Sequence, residues 1–119
     1  MVEGGGRGPV ARRFYLATEG AERRTWELSS GSCSVGSDPS NDVVIDEPTV
    51  SRFHCELVVT DRVGPRVRDL GSKNGTWVNG KRASGLTPVN DGDEIVLGTG
   101  VLTLRSGRRD GTTQTVFRR

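Results

Sequence analysis

The sequence predicts an all-β fold, a two-sheet antiparallel β-sandwich of about ten to eleven short strands, and three observations carry that prediction. Turn signals recur at close, regular intervals: Glu19-Gly20, Ser30-Gly31, Ser37 to Asn41, Glu47-Pro48, Gly64-Pro65, Gly71 to Gly75, Asn79-Gly80 and Asn90 to Asp93. The segments between them alternate apolar and polar residues with period two. No segment sustains a 3.6-residue period over two turns, which argues against helices.

Taken in order, Phe14 to Ala17 opens the set of strands. Trp26 and Leu28 alternate with Thr25, Glu27 and Ser29, and Cys33 and Val35 alternate with Ser32 and Ser34. Val43 to Ile45 is a short β-branched run. Cys55, Leu57 and Val59 share one face of the next strand, and Arg66 to Leu70 alternates cleanly. Trp77-Val78 and Lys81-Arg82 flank Asn79-Gly80, the strongest short hairpin signal. Glu94 to Leu97 and Val101 to Leu104 close the set.

With 119 residues, the chain fits one domain. A hydrophobic content of 32% and 17 glycines are lean for a helical bundle but suit short strands and tight turns. Residues 1–12, with Gly4-Gly5-Gly6 and Gly8-Pro9, read as a flexible lead. Residues 13–106 read as the domain, and 107–119 as a basic tail or the start of a linker. A net charge of +2 is too mild to imply nucleic-acid binding. Arg105, Arg108, Arg109, Arg118 and Arg119 crowd the end against the lone acid Asp110, and a solvated tail is preferred to a nucleic-acid arm. No apolar run approaches the roughly 20 residues a membrane helix needs, so no membrane partner is expected. Met1 to Pro9 lacks the apolar stretch of a signal peptide, and a cytoplasmic protein is expected. Cys33 and Cys55 read as reduced, buried hydrophobes, with a disulfide between them disfavoured. With no Cys/His cluster, no metal is expected.

Three polar clusters fall in turns instead of strands: Gly36 to Asp42, Thr49 to His54, and Asp69 to Gly80. The order Gly36, then Ser51-x-x-His54, then Asn74-Gly75-Thr76-x-x-Asn79-Gly80 resembles the motif series of forkhead-associated (FHA) domains. Asp69-Leu70-Gly71-Ser72 and Asp91 to Ile95 match the same pattern. The resemblance covers residues 13–106 and implies an FHA/SMAD-like sandwich that docks phosphothreonine peptides. It implies that Ser51, Arg52 and Lys73 contact phosphate and that Asn74 grips the peptide main chain. Gly36, His54, Gly75, Thr76 and Asn79 support the site, His54 by tying its loop together through ring hydrogen bonds. The runs Val35 to Val43 and Thr49 to Leu57 resemble the N-terminal FHA domain of bacterial enhancer-binding (sigma-54-dependent) transcription activators, whose ATPase and DNA-binding modules have no counterpart here.

One residue departs from the pattern. Ser37 stands where FHA domains usually carry an arginine that binds phosphate. A charge-assisted hydrogen bond contributes about 1.5–3 kcal/mol, so its loss weakens binding roughly 10- to 100-fold. Ser37 still offers a neutral donor, and Arg52 and Lys73 remain to meet an anion of about −1.5 to −2 charges. The residues also have plainer readings: Ser51 as a turn brace, Asn74 and Asn79 as turn residues, Arg52 and Lys73 as solvated charges. Trp26 and Trp77 are expected to pack, and Asp38, Asp42, Asp46 and Glu47 do not have the spacing of a calcium loop.

The leading expectation is therefore a phosphothreonine-peptide-binding signalling module of a larger bacterial protein, with no cofactor. The alternative is a phosphate-independent interaction or oligomerisation domain on the same scaffold. No nucleophile–base pair, metal set or phosphate-cradling glycine loop supports an enzyme. Thr112, Thr113 and Thr115 in the tail are a further candidate ligand, if phosphorylated.

Overall fold

The computed structural model describes residues 12–19, 22–60 and 62–108. Eleven strands occupy them: β1 (Arg12–Thr18), β2 (Thr25–Leu28), β3 (Gly31–Gly36), β4 (Val43–Val44), β5 (Cys55–Thr60), β6 (Gly64–Asp69), β7 (Thr76–Val78), β8 (Lys81–Arg82), β9 (Thr87–Pro88), β10 (Glu94–Leu97) and β11 (Gly100–Arg108). They form two sheets, β9-β6-β5-β3-β4 and β2-β1-β11-β10-β7-β8. The strands begin one residue before and end two residues after the 13–106 boundaries read from the sequence. The remainder of the lead and tail, including Thr112, Thr113 and Thr115, lies outside the described residues.

Alternation decides which face of each strand is buried. Leu16, Leu102, Leu104, Ile95 and Leu97 from one sheet meet Val35, Leu57 and Val67 from the other, all fully buried. Burial of each such side chain stabilises the fold by about 1.5–3 kcal/mol. Cys33 and Cys55 are buried free thiols on adjacent strands. Burial pushes the Cys33 thiol up to about 11 and that of Cys55 to about 12, so both stay protonated at neutral pH.

Two features differ from the sequence expectation. β4 pairs parallel with β3, Val35 opposite Val43, in an otherwise antiparallel sandwich. The 37–42 loop returns the chain beside its own strand, and the Asp42 carboxylate accepts the Ser34 amide at 2.9 Å. β9 was not foreseen: Thr87 and Pro88 pair with Val67 and Arg66 at a sheet edge, where proline's missing N–H costs no ladder bond. The Asn79-Gly80 hairpin forms as expected, with φ of 50° and 85° and with Trp77 opposite Arg82.

Candidate functional site

The loops 37–42, 45–54 and 70–75 converge, and hydrogen bonds between them build the site. The Ser37 and Asp38 amides donate to the Ser51 and Arg52 carbonyls at 3.0 and 3.2 Å. Gly36 permits this approach, because a Cβ there would fall inside the Arg52 carbonyl and lie 2.9 Å from Asn41 Nδ2. Buried Asn41 joins the same two loops, its Nδ2 donating to Asp38 O at 2.9 Å and Arg52 O at 2.7 Å.

His54 is fully buried. The Ser51 amide donates to its Nδ1 at 3.0 Å, so that nitrogen is the acceptor and Nε2 carries the proton. Nε2 then donates to the Gly75 carbonyl at 2.9 Å. One neutral ring thus ties the Ser51 loop to the Asn74 loop.

From that second loop the Lys73 amide donates to Ser51 Oγ at 3.0 Å. Among the described residues the Ser51 hydroxyl donates to nothing, so its proton is free for an incoming acceptor. Asn74 Nδ2 donates to the Thr49 carbonyl at 2.8 Å, leaving its Oδ1 and one N–H available. That pair of a donor and an acceptor matches the needs of a peptide main chain.

Asp69 anchors the 70–75 loop. Its Oδ2 accepts the Gly71 and Ser72 amides, and its Oδ1 accepts the Ser72 and Thr76 hydroxyls. Burial pushes this carboxyl up, but the hydrogen bonds from Ser72, Thr76 and Gly71 outweigh it and hold it below the usual range. The fully buried Thr76 therefore supports the site through Asp69. Asn79 does not reach it: its side chain bonds Asp93 and the Glu94 amide, fixing the hairpin to the 91–93 turn.

The result is an open cleft of about 890 Å³ lined by Ser37, Ser51, Arg52, Lys73 and Asn74, together with the acidic Asp38, Asp46 and Glu47. All five expected contact residues are brought together. Arg52 and Lys73 are exposed, and among the described residues neither forms an ion pair. Their charges are thus open to an anion.

Four residues of the polar clusters prove to brace the site, a role the sequence did not assign them: Asp69, Asn41, Thr49 and Trp77. Trp77 does more than pack, because its Nε1 donates to the Asn74 carbonyl at 3.1 Å. Arg82 lies over the Trp77 ring, 5.9 Å from its centroid, and its Nε is 2.9 Å from where a Gly75 Cβ would stand. The Asp69-Leu70-Gly71-Ser72 motif held the signal for Asp69, as an Asx turn; Asn41 and Thr49 act across separate loops, and Trp77 reaches Asn74 three residues back only through the local turn conformation.

A family model described as FHA domain matches residues 33–98. The chain belongs to the FHA domain family. The crystal structure of an FHA domain from a Chlamydia trachomatis protein has a TM-score of 0.74 and 30% identity, covering 78% of this chain and 96% of that one. Mycobacterium tuberculosis EmbR, solved in complex with a low affinity phosphopeptide, has a TM-score of 0.72 and 31% identity, covering 78% of this chain and 24% of that one. An ABC transporter ATP-binding/permease protein of Mycobacterium tuberculosis is 40% identical over 85 residues, 71% of this chain and 10% of that protein. The chain spans from about a tenth to about half of the curated relatives it matches first. FHA domains are recognition modules.

Proposed function

We propose that this FHA domain binds phosphothreonine peptides and serves as the regulatory module of a larger bacterial signalling or transcription protein. The observation that carries the reading is the cleft in which the Ser51 hydroxyl proton and two cations, all without partners among the described residues, converge with the Asn74 amide on braced loops. Ser51, Arg52 and Lys73 meet the phosphate, and Asn74 meets the peptide backbone. The role is binding and not catalysis, since both ring nitrogens of the lone histidine are committed to backbone groups. EmbR, a transcriptional regulatory protein, is 35% identical over 75 residues, which supports a regulator as the parent. An enhancer-binding activator is the finer form of that proposal. Free buried cysteines fit a reducing compartment such as the cytoplasm.

Titration with a phosphothreonine peptide and its plain counterpart tests the reading. Only the phosphorylated form binds, and Ser51→Ala weakens it roughly tenfold or more. Equal binding of both forms overturns it. Ser37 favours a second reading, an interaction domain independent of phosphate. Under that reading, partners captured by the domain in a pull-down survive phosphatase treatment, and Ser37→Arg produces a large gain in phosphopeptide affinity.

A further inference from the structure

The cleft holds more negative than positive charge. Arg52 and Lys73 share its lining with three acidic residues, Asp38, Asp46 and Glu47. Asp38 is engaged first within its own loop: its Oδ2 accepts the Ser40 amide at 3.0 Å and also the Ser40 hydroxyl, and those bonds, with a smaller contribution from the nearby Arg52 charge, hold its carboxyl below the usual range.

Asp46 and Glu47 are different. Both are exposed, and among the described residues neither makes an ion pair. Their side chains take one long hydrogen bond, from the Thr99 hydroxyl to Glu47 Oε1 at 3.4 Å. Their turn is nevertheless fixed: the Val50 amide donates to the Glu47 carbonyl at 3.0 Å, and the Thr99 amide donates to Thr49 Oγ1 at 2.7 Å. Acids on an exposed turn would mean little alone. Here they share a cleft with two cations that make no ion pair among the described residues, which makes the cleft bipolar.

A phosphothreonine dianion entering alone gains from Arg52 and Lys73 but is opposed by the carboxylates that share the cleft. An arginine at position 37 would have offset that opposition; Ser37 does not. At about 890 Å³ the cleft lies in the range of ligand sites that bury far more than one phosphate group, so flanking residues enter it too.

We propose that the cleft selects phosphothreonine peptides with an arginine or lysine near the phosphothreonine, the basic side chain meeting Asp46 and Glu47 while the phosphate meets Ser51, Arg52 and Lys73. The inference rests on the phosphothreonine reading above.

Three phosphothreonine peptides, identical except for basic, alanine or glutamate flanks, each with an unphosphorylated control, are titrated against the chain and its D46N/E47Q variant by fluorescence anisotropy. The basic phosphopeptide binds the unmodified chain about fivefold tighter than the alanine one, the value of one well-placed exposed charge pair. The glutamate one binds weakest, and added salt narrows the gap. In D46N/E47Q the preference vanishes, and the alanine phosphopeptide binds tighter because repulsion of its phosphate is relieved. Equal binding of the three phosphopeptides, or a preference that survives D46N/E47Q, overturns the selectivity while leaving phosphothreonine recognition standing. Failure of every phosphopeptide to exceed its plain control removes both.

Discussion

Ser51 sits at the meeting point of two loops, and each of its own polar groups has a role. Its amide is held by His54, its oxygen takes the Lys73 amide, and its proton is left for a ligand. Asp69 does the comparable work beneath Lys73 and Asn74, accepting four hydrogen bonds from Gly71, Ser72 and Thr76. Because its carboxyl is held below its ordinary value of 3.8, it contributes stability that is fully present above that value. The contribution is lost as pH falls from there through the lowered value. Asp69→Asn therefore lowers the melting temperature at neutral pH and makes stability fall less steeply between pH 4 and the acid limit, a range taken from this depressed carboxyl. Parallel acid-side slopes in calorimetry would contradict that role.

Two elements set how precisely the site is held. The first is the end of β3, where Gly36 lets the following amides reach the Ser51 and Arg52 carbonyls. Gly36→Ala forces that pair of loops apart at a cost of about 1–3 kcal/mol. A melting temperature lower by several degrees, with weaker phosphopeptide binding, is the expected result. An unchanged melt would show that the close approach is not needed. The second element is the β7–β8 hairpin, which carries Trp77 against the Asn74 carbonyl. Trp77→Phe keeps the ring and deletes the donor. It costs about 1 kcal/mol and weakens phosphopeptide binding several-fold. Calorimetry and titration together separate the two effects, and full affinity in the variant would mean that the Asn74 loop holds without the bond.

Across the whole molecule, the sandwich is closed by its longest pairing, β1 against β11, from Thr18 opposite Leu102 to Arg12 opposite Arg108. That ladder lies in the sheet opposite β3, β4 and β5, which deliver the 37–42 and 45–54 loops. Residues 12–108 are accordingly proposed as the self-sufficient domain. Expressed alone, they melt within a few degrees of the full chain and bind the same phosphopeptide with the same affinity. A loss of either would place part of the domain outside those bounds.

Sequence alone determined ten of the eleven strands, the Asn79-Gly80 hairpin and the chemical types gathered around Ser51, Arg52, Lys73 and Asn74. These are local properties, because alternation and turn preference are written in consecutive residues. The parallel β3–β4 pair, the Thr49–Asn74 and Lys73–Ser51 bonds and the sharing of one cleft by Asp46, Glu47 and the two cations were decided only by the tertiary structure. The two bonds join residues 25 and 22 positions apart, and even the nearer β3–β4 partners meet only because the loops are stacked by the core. The departure at Ser37 was legible from the start; that it leaves a cleft with more acids than bases was not.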